Sequence, residues 1–341
     1  MIIDVGSILN IIQELGLISI YNQTLTQIIA PQFNVYTADL HPHYKEDRWN
    51  ITIQYMKDYA RYHPEFQGSY FMCLYDGWRE MIDPADVEER VYTNWFSYTE
   101  QQQQEYFIGK GTINEPRFRS NLNRTQYINL PLQVIAFNRH IGDKNVLLIP
   151  DSEFLKTEFT YYKREVISGD ISYALKKSQM FWRGSQHVND GYTYVGEGFE
   201  YNLSLAGRSK IHPRELVVNL SSKSPELLNA SYERISVEDI LKSKYLLDID
   251  GQVSAWSGLY WKLYSNSVVF KLKSHWEQWY YQDLLPYVHY VPLQNLTPLA
   301  LQKAYSWCEV EQQLCQQIAT RATLFARQLT YEYAVKDYII H

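Results

Sequence analysis

YLLDIDGQVSAWSGLYWKLYSNSVVFKLKSHWEQWYYQDLLPYVHYVPL, from Tyr245 to Leu293, is the stretch that decides the fold. An apolar run, Tyr245–Ile249, enters a polar Gly/Ser turn, Asp250–Gly258. An aromatic helical segment follows, then a second apolar run, Ser267–Leu272, and a Trp- and Tyr-rich segment that closes in the strand-like VHYVPL. Strand, small-residue turn, helix, strand is the βαβ pattern of a doubly wound, nucleotide-binding sheet. The turn carries no aromatic side chain before Trp256. Its backbone and the hydroxyls of Ser254 and Ser257 can therefore approach a ligand at the helix start, where an anion is favoured.

Two other apolar runs end in polar turns. GSYFMCLYDGW predicts a strand, Tyr70–Tyr75, ending at Asp76-Gly77, and MFWRGS predicts a strand, Met180–Arg183, ending at Gly184-Ser185. Ligands of open α/β sheets bind outside the carboxyl ends of strands, so these turns are candidate sites. From the residues alone, Asp76 is either a turn aspartate before glycine or a carboxylate that reaches into a cleft as a general base. Gly184 lets backbone approach a ligand, and Ser185 can donate to a phosphate oxygen. Arg214 precedes an apolar run, Glu215–Leu220, read as a strand; it is a surface arginine or a guanidinium that offsets a diphosphate. Asp248 and Asp250 spell DxD. Alternate strand residues share a face, so both carboxylates can reach one metal ion. His289, between apolar residues, is a core histidine or a contact for a base or ribose.

Elsewhere, residues 1–31 read as a helix ended by Pro31, and 48–62 as a second helix. Residues 85–108 read as a Gln-rich helix plus loop, 110–130 as an exposed loop, and 187–211 as a hairpin excursion. Leu132–Asn138 and Asn145–Ile149 read as strands separated by a GDK turn, and 158–180 as helix interrupted at Gly169. Ser236–Lys244 opens with a Ser N-cap and a Glu at capping-box distance. From Thr297 onward the pattern is one or two long helices with Pro298 near the first position.

A chain of 341 residues holds about two ordinary domains. Its 30 Tyr, 9 Trp and 13 Phe are an unusual aromatic load, suited to half-buried packing or to carbohydrate surfaces. The formal net charge of −6 argues against a nucleic-acid partner. Three cysteines make no disulfide framework, and Cys308 and Cys315 sit at helical spacing, which predicts a reducing compartment. The N-terminal stretch is apolar but carries Asp4 and Glu14, which makes a poor signal peptide or membrane span. Sequons at Asn22, Asn50 and Asn219 read as incidental, with Asn219 in a buried strand. There is no Walker A motif, zinc spacing or GxSxG elbow.

The wording of three segments, YLLDIDG, SNSVVFK and WYYQDLLPYVHYVPL, resembles the CAP10-like glycosyltransferases, the family of the protein O-glucosyltransferases and of bacterial lipopolysaccharide-modifying proteins. FWRGS (Phe181–Ser185) is similar to that family's FRGS element. The resemblance covers most of residues 65–330. It implies a GT-B-like architecture of two Rossmann-like domains facing across a cleft. Residues 1–160 would hold the acceptor and the base, 161–300 the nucleotide sugar, and the helices of 301–341 would pack back on the first domain. It implies an inverting, metal-independent transfer of a hexose or pentose from a UDP-sugar to a hydroxyl, with Asp76 as catalytic base. Gly184, Ser185, Arg214, Ser254, Trp256 and Ser257 would bind the donor. No cofactor is implied beyond the UDP-sugar co-substrate. Many relatives carry an arginine just after the turn serine; here the turn reads WSGLYWK, so the phosphate charge must be met elsewhere, with Lys262 and Arg214 as candidates. The expected acceptor is lipopolysaccharide or another surface glycan, free or lipid-linked, modified by a cytoplasmic enzyme peripheral to the membrane. The alternatives are a protein acceptor and a non-catalytic carbohydrate- or nucleotide-sugar-binding protein.

Overall fold

A computed structural model of the chain describes residues 26–29, 33–37, 48–73, 133–141, 146–185, 213–251, 254–274 and 276–340. In chain order its elements are β1 (Thr26–Ile29), β2 (Phe33–Thr37), α1 (Asn50–Tyr62), β3 (Gly68–Cys73), β4 (Gln133–Ala136), β5 (Arg139–His140), β6 (Val146–Leu148), α2 (Ser152–Thr157) and α3 (Thr160–Gly169). There follow β7 (Lys177–Arg183), α4 (Pro213–Lys223), β8 (Leu228–Ser231), α5 (Val237–Leu241), β9 (Ser243–Asp248), α6 (Gly258–Tyr264), β10 (Val268–Leu272), β11 (Trp276–Glu277) and β12 (Val291–Leu293). Three helices end the chain: α7 (Pro298–Val310), α8 (Gln312–Gln328) and α9 (Tyr331–Lys336). The fold is mixed α/β with parallel-stranded sheets, in two compact units. One comprises residues 1–155 with Trp276–Trp279 and Tyr331–His341, the other Lys156–His275 with Tyr280–Thr330. No described helix is long and apolar enough to cross a membrane.

The sheet of the first unit has the order β1-β2-β3-β4-β6, with β1 antiparallel and the rest parallel. Val134, Ile135, Ala136 and Val146 are wholly buried, as expected where a parallel sheet is covered on both faces. Helix α1 buries Ile53, Tyr55, Met56 and Tyr59. The last segment of the chain is tied to this unit by hydroxyls. Tyr55 donates to the Ala334 carbonyl (3.0 Å), Tyr331 to Asp58 (2.9 Å) and Tyr338 to the Leu148 carbonyl (3.0 Å). Here tyrosine combines an apolar body with one satisfied polar tip.

The second unit has a parallel sheet ordered β12-β10-β9-β7-β8. The chain enters at β7, adds β8 on one side, then β9, β10 and β12 on the other. Its order therefore reverses between β7 and β9. Strand alternation sorts side chains to two faces. Met180, Trp182, Tyr245, Leu247, Val268 and Phe270 pack with Leu216, Val217 and Leu220 of α4 and with Ile318 and Ala319 of α8. Phe181 and Leu246 pack with Trp261, Val166 and Leu241 in a separate cluster. Fully burying one such large apolar side chain stabilises the fold by roughly 1.5–3 kcal/mol.

Several sequence expectations are corrected. Thr26–Ile29, placed in a helix, is strand β1. Glu215–Leu220, read as a strand, lies in helix α4, so Asn219 is exposed on a helix and is not in a buried strand. Pro213 opens that helix, and Leu216, Val217 and Leu220 bury one helical face. Residues 158–180 hold only one α-helix, ended at Gly169; strand β7 already begins at Lys177. The N-cap at Ser236 is as expected, but the residue that completes it is Asp239, and Ser243 and Lys244 belong to β9. The readings for 85–108, 110–130 and 187–211 lie outside the described residues.

The cysteine reading is also corrected. Cys308 and Cys315 form a disulfide with a Cα–Cα distance of 5.7 Å. In one continuous helix, residues seven apart would lie about 10 Å apart. The helix instead breaks at Glu311, and α7 and α8 are stapled where they meet. Replacing both cysteines with serine is expected to lower unfolding stability by about 2–3 kcal/mol, the loop-closure value for so short a loop. Urea unfolding with and without reductant tests this; coincident midpoints would contradict it.

Candidate functional site

The reversal between β7 and β9 is the topological switch point of the second sheet, and in open α/β sheets ligands bind at such a point, outside the carboxyl ends of the strands. Gly184 and Ser185 follow β7 on one side, and Asp248, Ile249 and Asp250 end β9 on the other. A Cβ at Gly184 would stand 2.6 Å from Cζ2 of the buried Trp182, so any larger residue displaces the indole.

Arg214 joins the two sides. It sits in the first turn of α4 and donates from Nε to the Asp250 carbonyl (2.9 Å). From Nη1 it donates to the Ser185 carbonyl and to Ser185 Oγ, both at 3.2 Å, and from Nη2 it approaches the Ile249 carbonyl (3.5 Å). Ser185 Oγ accepts here, which leaves its own O–H able to donate to a ligand. Burial lowers the Arg214 pKa, while Asp250 and Asp248 oppose that fall.

The two DxD carboxylates have different partners. Asp248 accepts from Lys262 Nζ at 2.8 Å, with Lys271 Nζ 3.9 Å away. Burial pushes its carboxyl up, but Lys262, Lys271 and Arg214 outweigh burial and hold it below the usual range. Asp250 accepts a hydrogen bond from Ser274. Burial raises its carboxyl above the usual range despite Lys271. Lys262 is thus paired with Asp248.

The turn to α6 carries the remaining expected donor contacts. Ser254 and Ser257 are buried, and the Ser257 carbonyl accepts from the Trp261 N–H (3.1 Å). Trp256 is half-buried with φ 77°, a left-handed conformation unfavourable for a bulky residue, at a cost of order 1–3 kcal/mol. A Cβ at Gly258 would meet nothing within 4 Å, so the start of α6 is open. His289 closes a local turn: Nδ1 accepts from the Leu285 N–H (3.0 Å), and the ring stacks on Phe325 at 4.8 Å. The structure therefore brings Gly184, Ser185 and Arg214 together at the switch point and places Ser254, Trp256 and Ser257 on the segment that leaves it. Asp76 lies outside the described residues.

One buried acid in the first unit escaped the sequence reading. Asp151 follows β6 and is 2% exposed. Its Oδ1 accepts from the N–H groups of Glu153 and Phe154, both at 3.0 Å, while Oδ2 is buried with no hydrogen-bond partner. Burial raises its pKa to about 7, with Glu153 adding to the rise and the two N–H bonds and Arg48 opposing it. The sequence shows only a Pro-Asp strand end; burial of the acid is a tertiary property.

The family model for glycosyl transferase family 90 matches residues 163–341, just over half of the chain. Relatives include O-glucosyltransferase rumi of Drosophila pseudoobscura pseudoobscura, 28% identical over 168 residues, covering 38% of this chain and 41% of the relative. Protein O-glucosyltransferase 2 of Danio rerio is 34% identical over 152 residues, covering 45% of this chain and 29% of the relative. A further match is uncharacterized protein 179R of Invertebrate iridescent virus 6, 26% identical over 165 residues, covering 43% and 13%. The chain thus spans less than half the length of these curated relatives.

Proposed function

This chain belongs to glycosyl transferase family 90, and we propose on that premise that it moves a hexose or pentose from a UDP-sugar to an acceptor hydroxyl. The observation that carries the reading is the bridge of Arg214 between Ser185 and Asp250 at the switch point. A guanidinium, a serine hydroxyl and a helix start at the carboxyl edge of a parallel sheet form a suitable place for a nucleotide diphosphate. In a GT-B-like division of labour, the second unit binds the donor and the first supplies acceptor and base. Asp76 removes the acceptor proton as the oxygen attacks the anomeric carbon with inversion, and the UDP oxygen leaves with the electron pair of the broken bond. Donors at the switch point stabilise the charge on that leaving diphosphate.

Two acceptors fit this chemistry. A surface glycan such as lipopolysaccharide is the one expected from the sequence. A protein hydroxyl is favoured by the names of the relatives, O-glucosyltransferase and protein O-glucosyltransferase. The Cys308–Cys315 disulfide also fits an oxidising compartment better than the cytoplasm.

The reaction needs no metal on this reading. Asp248 already faces Lys262 and Lys271, and Asp250 faces Ser274, so both carboxylates have partners that a divalent ion would have to replace. The test is release of UDP from UDP-glucose and UDP-xylose with protein and glycan acceptors, in EDTA and with added Mn²⁺. Equal rates are expected. Loss of all activity in EDTA, restored by metal, would make Asp248 and Asp250 ligands. Binding of UDP-sugar without transfer to any acceptor would favour a binding protein.

A further inference from the structure

The turn Leu285–Tyr290 leads into the amino end of β12, the outer strand of the second sheet, whereas the donor residues follow the carboxyl ends of β7 and β9. The turn is tightly bonded to itself. The Tyr287 N–H donates to the Tyr290 carbonyl at 2.7 Å, and Pro286 and Tyr290 form a bridge. The N–H groups of Val288 and His289 donate to the Leu285 carbonyl at 3.3 and 2.9 Å, and His289 Nδ1 accepts from the Leu285 N–H at 3.0 Å. The His289 ring stacks on Phe325 of α8 at 4.8 Å, which fixes the turn to the body of the unit.

At the tip of this turn, Tyr287 has φ 60°, in the left-handed region. Glycine or asparagine ordinarily fills such a position, and a bulky residue adopts it only at an energetic cost. Burial does not offset that cost, because Tyr287 is 55% exposed. Strain of this kind, kept without a packing gain, points to a function for the side chain. The ring meets Trp307, in the last turn of α7, at 5.7 Å and 81°. Trp307 is half-buried, so the two rings form an open corner, with Leu285 exposed beside Tyr287 in the turn. The Tyr287 hydroxyl and the Trp307 indole N–H donate to no group among the described residues.

We propose that the Tyr287–Trp307 corner binds a pyranose ring of an acceptor glycan, as a subsite separate from the donor residues. The choice of a glycan rests on the glycosyltransferase reading above. A pyranose presents an apolar C–H face and a rim of hydroxyls. An exposed aromatic ring covers the first, while the phenol and the indole N–H at the ring edges bond the second. The second ring, near a right angle to the first, gives a shape that a single exposed tyrosine lacks. A turn already rigid pays little ordering entropy when the sugar binds. An anionic bilayer fits this surface less well. Asp283, just before the turn, and Glu311, at the end of α7, are exposed acids, and the chain carries a formal net charge of −6.

Native affinity electrophoresis of the full chain, in gels with dextran, soluble xylan or deacylated lipopolysaccharide, measures glycan binding, and titration calorimetry with UDP is run on the same proteins. Wild type should be retarded by at least one of these glycans. Tyr287→Gly removes the ring and suits the left-handed backbone. It should keep or raise the thermal midpoint while weakening binding of that glycan about tenfold, the scale of losing one large aromatic contact. Trp307→Phe, which keeps a ring and loses the N–H, should weaken it less. Both variants should bind UDP as wild type does. Unchanged retardation of folded Tyr287→Gly, or no retardation of wild type by any of the glycans, would overturn the subsite; UDP binding by wild type would then leave the transferase reading standing. Failure of wild type to bind UDP would count against that reading instead, and glycan binding lost in Tyr287→Gly would still support the corner. A change of oligomeric state in Tyr287→Gly without loss of glycan binding would overturn the proposal by giving the corner to a second copy of the chain. Binding to phosphatidylglycerol vesicles that Tyr287→Gly loses, with glycan retardation intact, would overturn it in favour of a membrane.

Discussion

Asp76→Asn is expected to slow glycosyl transfer by about 10²–10⁴-fold while UDP binding stays at the wild-type level. The magnitude is that of losing a positioned general base. An acceptor hydroxyl is a poor nucleophile until its proton leaves, and an amide cannot take that proton near neutral pH. The position follows from the sheet. Strand β3 runs between β2 and β4, parallel to both, and ends at Cys73; Asp76 follows three residues later in the sequence, and ligands of parallel sheets bind beyond the carboxyl ends of strands. The donor contacts proposed above belong to the other unit, and this is why the two effects should separate. Steady-state transfer and titration with UDP, each on folded protein, decide the matter. Turnover at the wild-type rate would remove Asp76 from the mechanism. Lost UDP binding with normal folding would move it to the donor site.

The βαβ unit at the centre of the second sheet was legible because its apolar runs are long, bounded by turns and separated by one helix. Tyr245–Ile249 and Ser267–Leu272 differ from β9 and β10 only at their ends. Short apolar runs were less informative. LVVNL has the composition of a strand, and its periodicity is too short to decide. Pro213 and Glu215 in the first turn make it a helix, while the neighbouring strand is the unremarkable LNAS of β8. The two-residue strands β5 and β11 pair across more than a hundred residues and leave no local signal. The break at Glu311 has neither glycine nor proline to announce it, and so the disulfide was hidden as helical spacing. Gly184, Ser185 and Arg214 lie together in the structure although the element carrying Arg214 was misread, because a residue just after a strand end and one in the first turn of the next helix meet at the same edge of the sheet. Lys262 and Asp248 were both singled out, but their mutual pairing is a contact that only the folded chain displays.

Asp151→Asn should flatten the dependence of stability on pH. Burial pushes the folded carboxyl up to about 7, from an ordinary value of 3.8. Well below pH 3.8 it is protonated in both states and has no effect. As pH rises toward 7, the unfolded chain loses its proton while the folded chain keeps it, so the group progressively favours unfolding. At 1.36 kcal/mol for each unit of displacement, wild type loses on the order of 3–4 kcal/mol through this group between pH 4 and pH 8. Asparagine does not titrate, and its carbonyl can still accept the N–H bonds of Glu153 and Phe154 that Oδ1 accepts now. The difference in unfolding free energy between variant and wild type should therefore grow from pH 4 to pH 8 in favour of the variant. Denaturant titrations at several pH values would measure it, with the other titrating groups cancelling in the difference. Parallel curves for the two proteins would mean that Asp151 titrates near its ordinary value, with its second oxygen solvated. A variant less stable at every pH by a constant amount would mean that the amide fits the buried site worse than the acid does, without the expected charge effect.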